Sequence, residues 1–138
     1  MSINNTSAFT GTIDGMGHII ENATITTDLF NSLNGATIKN ISFRYINYNL
    51  ASGTGGIITT TSTNSLFEMI LFEGNVTITN TTGFGGFIYQ DNNSTINKVV
   101  INNKYVNSTS TTSTYTFIYN ATGTTISNVL LKIGRAHV

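Results

Sequence analysis

An apolar pair, an aliphatic residue eight positions later and a short apolar run recur down this chain at nearly constant spacing. No other feature restricts the fold as much. The pattern starts with Leu29-Phe30, reaches Ile38 and continues through Ile41 and Phe43. It returns as Ile57-Ile58 with Leu66, Met69 and Leu71, then as Phe87-Ile88 with Ile96, Val99 and Ile101. Its last occurrence is Phe117-Ile118 with Ile126, Val129 and Leu131. The anchors Ile38, Leu66, Ile96 and Ile126 stand 28, 30 and 30 residues apart. Periods of this length belong to stacked repeats, in which one unit cannot bury its apolar face alone and neighbours bury it together.

The parity of the apolar positions then selects the kind of repeat. Ile41 and Phe43 are two apart and share one face of a strand. Ile38 and Ile41 are three apart, so both meet the same core only if the backbone bends between them. Lys39-Asn40 is therefore a corner, with Phe67-Glu68, Asn97-Lys98 and Ser127-Asn128 in the matching places. Asn suits such a corner because its short polar side chain lets it visit the left-handed region. Short strands separated by corners, all pointing apolar side chains one way, describe a coil of a parallel β-helix. Residues 9–132 are expected to form about four such coils of 28–30 residues, with Ile38, Leu66, Ile96 and Ile126 in one inward column.

The rest of each repeat is read from the same cues. Phe9 to Ile20, with Gly11, Gly15 and Gly17 around Ile13, reads as a strand ending in a tight turn. Val76 and Ile78 alternate with Thr77 and Thr79 as a further strand, and Tyr45-Ile46 and Tyr105-Val106 are assigned the same place in the adjacent coils. The polar runs Thr59–Asn64 and Asn107–Thr114 read as loops or wide turns. Disorder is the rival reading of polar tracts, but apolar residues return on schedule throughout. No 3.6-residue period persists, and Thr, Ile, Val, Asn and Gly are poor helix formers, so no helix is expected. Stacked strands about 4.8 Å apart align like residues, which predicts Asn and Thr hydrogen-bonding ladders along the outside.

Charge narrows the partners. Charged residues make up 9% of the chain and the formal net charge is zero, against about 25% charged in ordinary domains. Nucleic acid and anionic membranes both need clustered Lys or Arg, and the basic residues here are scattered. No apolar run approaches the roughly 20 residues of a membrane helix. With no cysteine, there is neither a disulfide framework nor a thiolate metal site.

Both termini carry expectations of their own. Residues 1–8 are expected to be disordered or an N-terminal lead-in; they are polar and lack the basic start and apolar stretch of a signal peptide. Residues 133–138, Ile-Gly-Arg-Ala-His-Val, break the composition and match one reading frame of a common short-read sequencing adapter. They are expected to be foreign to the fold, with the natural coil stack continuing past Leu131 and Met1 being an internal methionine. The chain is then a fragment, and its open ends, bearing unpaired ladder groups, are expected to associate end to end.

The stretch Phe9-Thr-Gly-Thr-Ile-Asp-Gly-Met-Gly-His18-Ile, with Leu29-Phe30 and Gly35-Ala-Thr-Ile-Lys-Asn-Ile-Ser-Phe43, resembles the opening of GLUG-repeat and related adhesin-like β-helices. The resemblance spans most of residues 9–131 and is best over 9–43. It departs where Asp28 replaces the glycine before Leu29-Phe30, and again at Tyr105–Thr116; Gly56 and Gly86 restore the glycine in later repeats. The resemblance implies a right-handed parallel β-helix of the pectin-lyase-like superfold, within a large secreted or surface-anchored repeat protein engaged in adhesion. Glycans or host and cell-surface components are the partners it implies, with an extracellular or cell-surface location. It implies no activity, cofactor or metal.

An enzyme is the rival class, because polysaccharide-acting hydrolases and lyases and some tailspikes are also β-helices. Glycoside hydrolysis needs two carboxylates roughly 5–10 Å apart. Asp14, Glu21, Asp28, Glu68, Glu73 and Asp91 are spread over different coils, with Glu68 and Asp91 the one pair that stacking could bring close. A lyase would add an acidic calcium site with a nearby Arg or Lys, and no Asp cluster exists. Asp14 in Asp-Gly reads as a turn residue, and His18 lacks a second candidate ligand outside the tail. Gly11, Gly15 and Gly17 precede no helix and meet no phosphate-binding lysine. Tyr45, Tyr48, Tyr89, Tyr105, Tyr115 and Tyr119 are core or loop-base rings unless several face outward as a sugar-stacking stripe. Glycosylation triplets at Asn4, Asn5, Asn22, Asn40, Asn75, Asn80, Asn92, Asn93, Asn107 and Asn120 are what Asn/Thr-rich composition produces by chance. The expectation is a structural or adhesive segment with no catalytic, cofactor-binding or metal-binding residues.

Overall fold

β-Branched residues and Asn fill the repeats, and in the computed structural model they form strands, with no helix among the described residues. The described residues are 7–79, 81–109 and 114–135, with backbone alone for 107–109, 114, 115 and 135. The first strands are β1 (Thr12–Asp14), β2 (Ile19–Glu21), β3 (Thr24–Ile25), β4 (Phe30–Asn34) and β5 (Thr37–Leu50). Next come β6 (Gly53–Gly56), β7 (Thr59–Thr63), β8 (Leu66–Thr79), β9 (Thr81–Gly85) and β10 (Ile88–Asn92). The chain continues through β11 (Thr95–Thr109), β12 (Thr114–Tyr115), β13 (Ile118–Thr122) and β14 (Thr125–Arg135).

These strands stack in parallel as a β-solenoid of about four turns. One sheet runs β1-β5-β8-β11-β14, with β2 and β3 also on β5. A second runs β4-β7-β10-β13 and a third β6-β9-β12. Each coil passes from the second sheet to the first, then to the third, and returns one layer on.

Left-handed residues shape the coil. Gly35, Asn64, Asn93 and Gly123 have φ of 65°, 49°, 60° and 65°, and Asn40, Met69, Lys98 and Asn128 have φ of 54°, 53°, 54° and 53°. Each member of the second set lies five residues after its counterpart in the first, so every coil turns twice at the same places. Asn and Gly occupy most of these positions for the conformational reason given above. Met69 and Lys98 have no such dispensation, and the left-handed backbone costs each about 1–2 kcal/mol.

The corners set the interior columns, and they correct the sequence reading in the second coil. Ile13, Ile38, Phe67, Ile96 and Ile126 form one column by register. Leu66 is not in it: it pairs with Thr37 and Thr95 and is half-buried, whereas Phe67 is 0% exposed. The corner falls at Met69 rather than Phe67-Glu68. Ile70 and Phe72 point inward beside Ile41 and Phe43, while Met69 is exposed. The cause lies one strand earlier, where Phe30 pairs with Thr59 and not with Ile58. Because side chains alternate faces, that single-residue offset exchanges inward for outward. Ile126 keeps its register but is 47% exposed, since no described strand lies beyond β14.

Other expectations also move. Thr59–Thr63 is a strand, β7, not a loop; its Thr59 and Ser62 are buried. Tyr105 stacks on Val76 as expected, but Tyr48, not Tyr45, fills that place in the coil before. A bulge after Phe43 inserts an extra residue and turns Tyr45, with φ of 53°, to solvent against Arg44. Of the other polar run, Asn107–Thr109 extends β11 and residues 110–113 lie outside the described residues.

Polar ladders run outside and inside the coil. Asn75 Nδ2 donates to Asn47 Oδ1 at 3.3 Å, and Asn97 links Glu68 below to Ser127 and Asn128 above. Inside, Ser62 and Ser94 Oγ atoms lie 2.9 Å apart, and Ser94 and Ser65 Oγ accept from the backbone N–H of Ser65 and Ala36. Seryl oxygens thus satisfy interior donors at the turn into the long strands. At the chain ends, Ile133–Arg135 pair with Asn103–Tyr105 within β14, and residues 1–6 and 136–138 lie outside the described residues.

Candidate functional site

The acidic residues fall on separate parts of the solenoid. Asp14 is exposed and accepts from Met16 N–H at 2.9 Å, the bond of an Asx turn. Asn40 Nδ2 donates to the same oxygen at 3.0 Å, and Lys39 Nζ lies 3.5 Å from the other. Glu73 faces Arg44 at 3.8 Å, and Glu21 pairs in register with Arg44 on β5. Glu68 sits on the first sheet beside Asn97, and Asp91 on the second beside Ser62 and Ala121, so stacking does not join them. Asp91 is buried and accepts from Ser94 N–H and from the Thr124 hydroxyl. Among the described residues no group of three or more His, Asp or Glu is arranged to hold a metal. His18 Nδ1 donates to Gly15 carbonyl at 2.7 Å and closes the same turn as Asp14.

The bonds from Asn40 first and Met16 second, with the Lys39 charge behind them, hold the Asp14 carboxyl below its ordinary value of 3.8. A depressed folded-state pKa contributes stability above the unfolded value, and this is lost as pH falls through the folded value. Following Asp14 by NMR is expected to give a midpoint below 3.8, and Asn40→Ala is expected to move it upward. A midpoint unmoved by that substitution would remove Asn40 as the main cause.

The tyrosines divide into two kinds. Tyr48 is fully buried against Phe84, and Tyr105 packs edge-on to the same ring. Burial pushes the Tyr48 hydroxyl well above its usual value, with the Asp28 charge adding to the effect, and raises that of Tyr105 to about 12. Tyr89 and Tyr119 instead point outward from the second sheet, half-buried, with ring centroids 4.7 Å apart and planes inclined by 30°. They lean against Gly83, where a Cβ would come within 2.7 Å of the Tyr89 ring.

One layer below this pair lies a cleft of about 460 Å³. It runs between the second and third sheets and is lined by Asp28, Asn31, Leu50, Ser52, Thr54 and Thr60, among others. Register places Asn31, Thr60, Tyr89 and Tyr119 in one outward column, and Thr54 directly beneath Gly83. The cleft and the tyrosines therefore occupy successive layers of one trough. Asp28 Oδ2 accepts from Thr60 N–H at 3.2 Å and from the Thr60 hydroxyl at 2.5 Å. In the sequence, Asp28 precedes its apolar pair where Gly56 and Gly86 precede theirs, and that departure was the one available signal for this site. Thr54 and Thr60 carried none.

No protein-family profile matches the chain, and no curated protein matches it. Among solved structures it is similar to a chain described as IgA1 protease, with a TM-score of 0.72 and 19% identity. The likeness covers 93% of this chain and 11% of that one. At this identity it shows the fold alone, a parallel β-helix.

Proposed function

We propose that this chain is a structural and adhesive segment of a large secreted or cell-surface repeat protein, in the manner of GLUG-type β-helices. The observation that carries this reading is the likeness of nearly the whole chain to a small part of a much longer one, 93% against 11%. A uniform stack of coils is a spacer and a display surface: side chains repeat outward at each layer and create long tracks for contact with other surfaces. Glycans and cell-surface components are the partners proposed, and end-to-end association is proposed for the 138-residue chain in isolation. The activity in the neighbour's name belongs to a chain of which this one spans about a tenth, and it is not transferred.

A polysaccharide-acting enzyme is the second reading, favoured by the buried carboxylate of Asp28 at the wall of a cleft. Glycan-array and whole-cell binding, run beside turnover assays on pectin and related polysaccharides, separate the two. Saturable binding without product formation is expected. Turnover that survives purification and depends on an acidic residue of this chain would replace the adhesive reading with the enzymatic one.

A further inference from the structure

Three features of the trough converge on one kind of ligand. The first is the aromatic face. Tyr119 covers one side of the Tyr89 ring. Along the column the opposite side looks toward Thr60, which lines the cleft. A flat apolar surface one layer above a polar cleft matches a glycan, whose pyranose C–H faces stack on aromatic rings while its hydroxyls need polar partners. The second is the supply of those partners. Asn31, Ser52, Thr54 and Thr60 offer both donors and acceptors. Asp28 accepts through Oδ2, and its Oδ1 has no partner among the described residues. The third is charge. Asp28 is the one ionisable residue among the described residues that line the cleft. A carboxylate 8% exposed and without a cation beside it in the cleft repels an anionic ligand.

We propose that this trough binds a neutral glycan, with the hydroxyls of one sugar ring on Asp28, Thr54 and Thr60 in the cleft and a neighbouring ring against Tyr89 in the layer above. This rests on the adhesive reading and names its ligand class: neutral hexose or N-acetylhexosamine chains are accepted, and polyuronates are refused. The chain reads a glycan through two successive layers, a polar coil below and an aromatic coil above, so a single sugar binds weakly and an oligosaccharide binds better.

Calorimetric titration of the 138-residue chain with cellohexaose, maltohexaose and chitohexaose tests this, with hexagalacturonate as the anionic comparison. At least one neutral hexamer is expected to bind, and hexagalacturonate is not. Tyr89→Leu keeps bulk against Gly83 but removes the aromatic face, and is expected to weaken binding about tenfold. Tyr89→Phe is expected to stay within about twofold, because the ring remains. Asp28→Asn keeps an acceptor for Thr60 and is expected to weaken the neutral ligand about tenfold while relieving the refusal of hexagalacturonate. Far-UV circular dichroism and thermal midpoints confirm that the variants fold. Neutral binding undiminished in both Tyr89→Leu and Asp28→Asn overturns the trough and leaves adhesion at another surface standing. Preference for hexagalacturonate, or no neutral binding up to roughly 10 mM, also overturns it, and adhesion is then judged by the whole-cell assay alone.

Discussion

Alanine at Gly85 is expected to destabilise the solenoid by about 3 kcal/mol or more, the upper end of what overpacking costs. Gly85 ends β9, where the third sheet hands the chain to the second. A Cβ there would sit 1.9 Å from the Ile88 carbonyl oxygen, 2.7 Å from its carbon and 3.0 Å from Tyr119 N. All three atoms are backbone, and they belong to the ladder that joins β10 to β13, so none can move without breaking pairing. Gly56, its register partner one coil below, is in the same position, with Thr59 O at 2.4 Å and Tyr89 N at 2.5 Å. Neither glycine has a positive φ, so the requirement is space and not conformational freedom. Gly134 is the comparison: its nearest neighbour would be Lys104 Cγ at 3.9 Å, and alanine there is expected to change stability by at most about 0.5 kcal/mol. Urea denaturation followed by far-UV circular dichroism reads both. Similar stability for the two variants would contradict the close approach of the sheets at this corner.

Phe67→Ala is expected to cost about 4 kcal/mol, and Leu66→Ala about 1 kcal/mol or less. Phe67 is fully buried between Ile38 and Ile96 and meets the Phe87 ring edge-on at 5.4 Å. Its removal leaves a cavity in the centre of the stack, bounded by coils whose hydrogen bonds stop them from collapsing into it. Leu66 has the opposite parity and lies half-buried beside Thr37 and Thr95. The two substitutions therefore measure register directly. If Leu66→Ala proved the more costly, the 28-residue spacing from Ile38 to Leu66 would be the true one and the second coil would be offset from the structure.

That coil also shows where sequence reasoning reached its limit. The run Leu66-Phe67-Glu68-Met69-Ile70-Leu71-Phe72 is apolar on both parities, so alternation alone cannot say which face is inside. In the first and third coils the polar pairs Lys39-Asn40 and Asn97-Lys98 set Ile38 and Ile96 apart from the apolar run that follows, and there the columns of Ile38 and Ile96 were readable. Corners were readable at Asn40 and Asn128, whose chemistry favours left-handed backbone. At Met69 and Lys98 that backbone is imposed by the layers on either side, against local preference.

The candidate site divides in the same way. Asp28 was visible as a charged residue in a glycine position, but nothing in its neighbourhood announced a cleft. Thr54 and Thr60 lie 26 and 32 residues further on, and Tyr89 lies in the coil beyond. They meet because each coil returns to the same edge.

By itself the sequence determined the period, the all-β parallel solenoid, the absence of a sustained helical pattern and the inward direction of most of its aliphatic residues. These follow from residue spacing within one coil, where neighbours along the chain decide which side chains share a face. Tertiary structure alone decided the register of the second coil, the burial of Thr59 and Ser62, and the outward pairing of Tyr89 with Tyr119. Those depend on which residue of one layer lies over which residue of the next. A slip of one position exchanges the two faces of a strand, and only the hydrogen bonds and close contacts between stacked coils resist it.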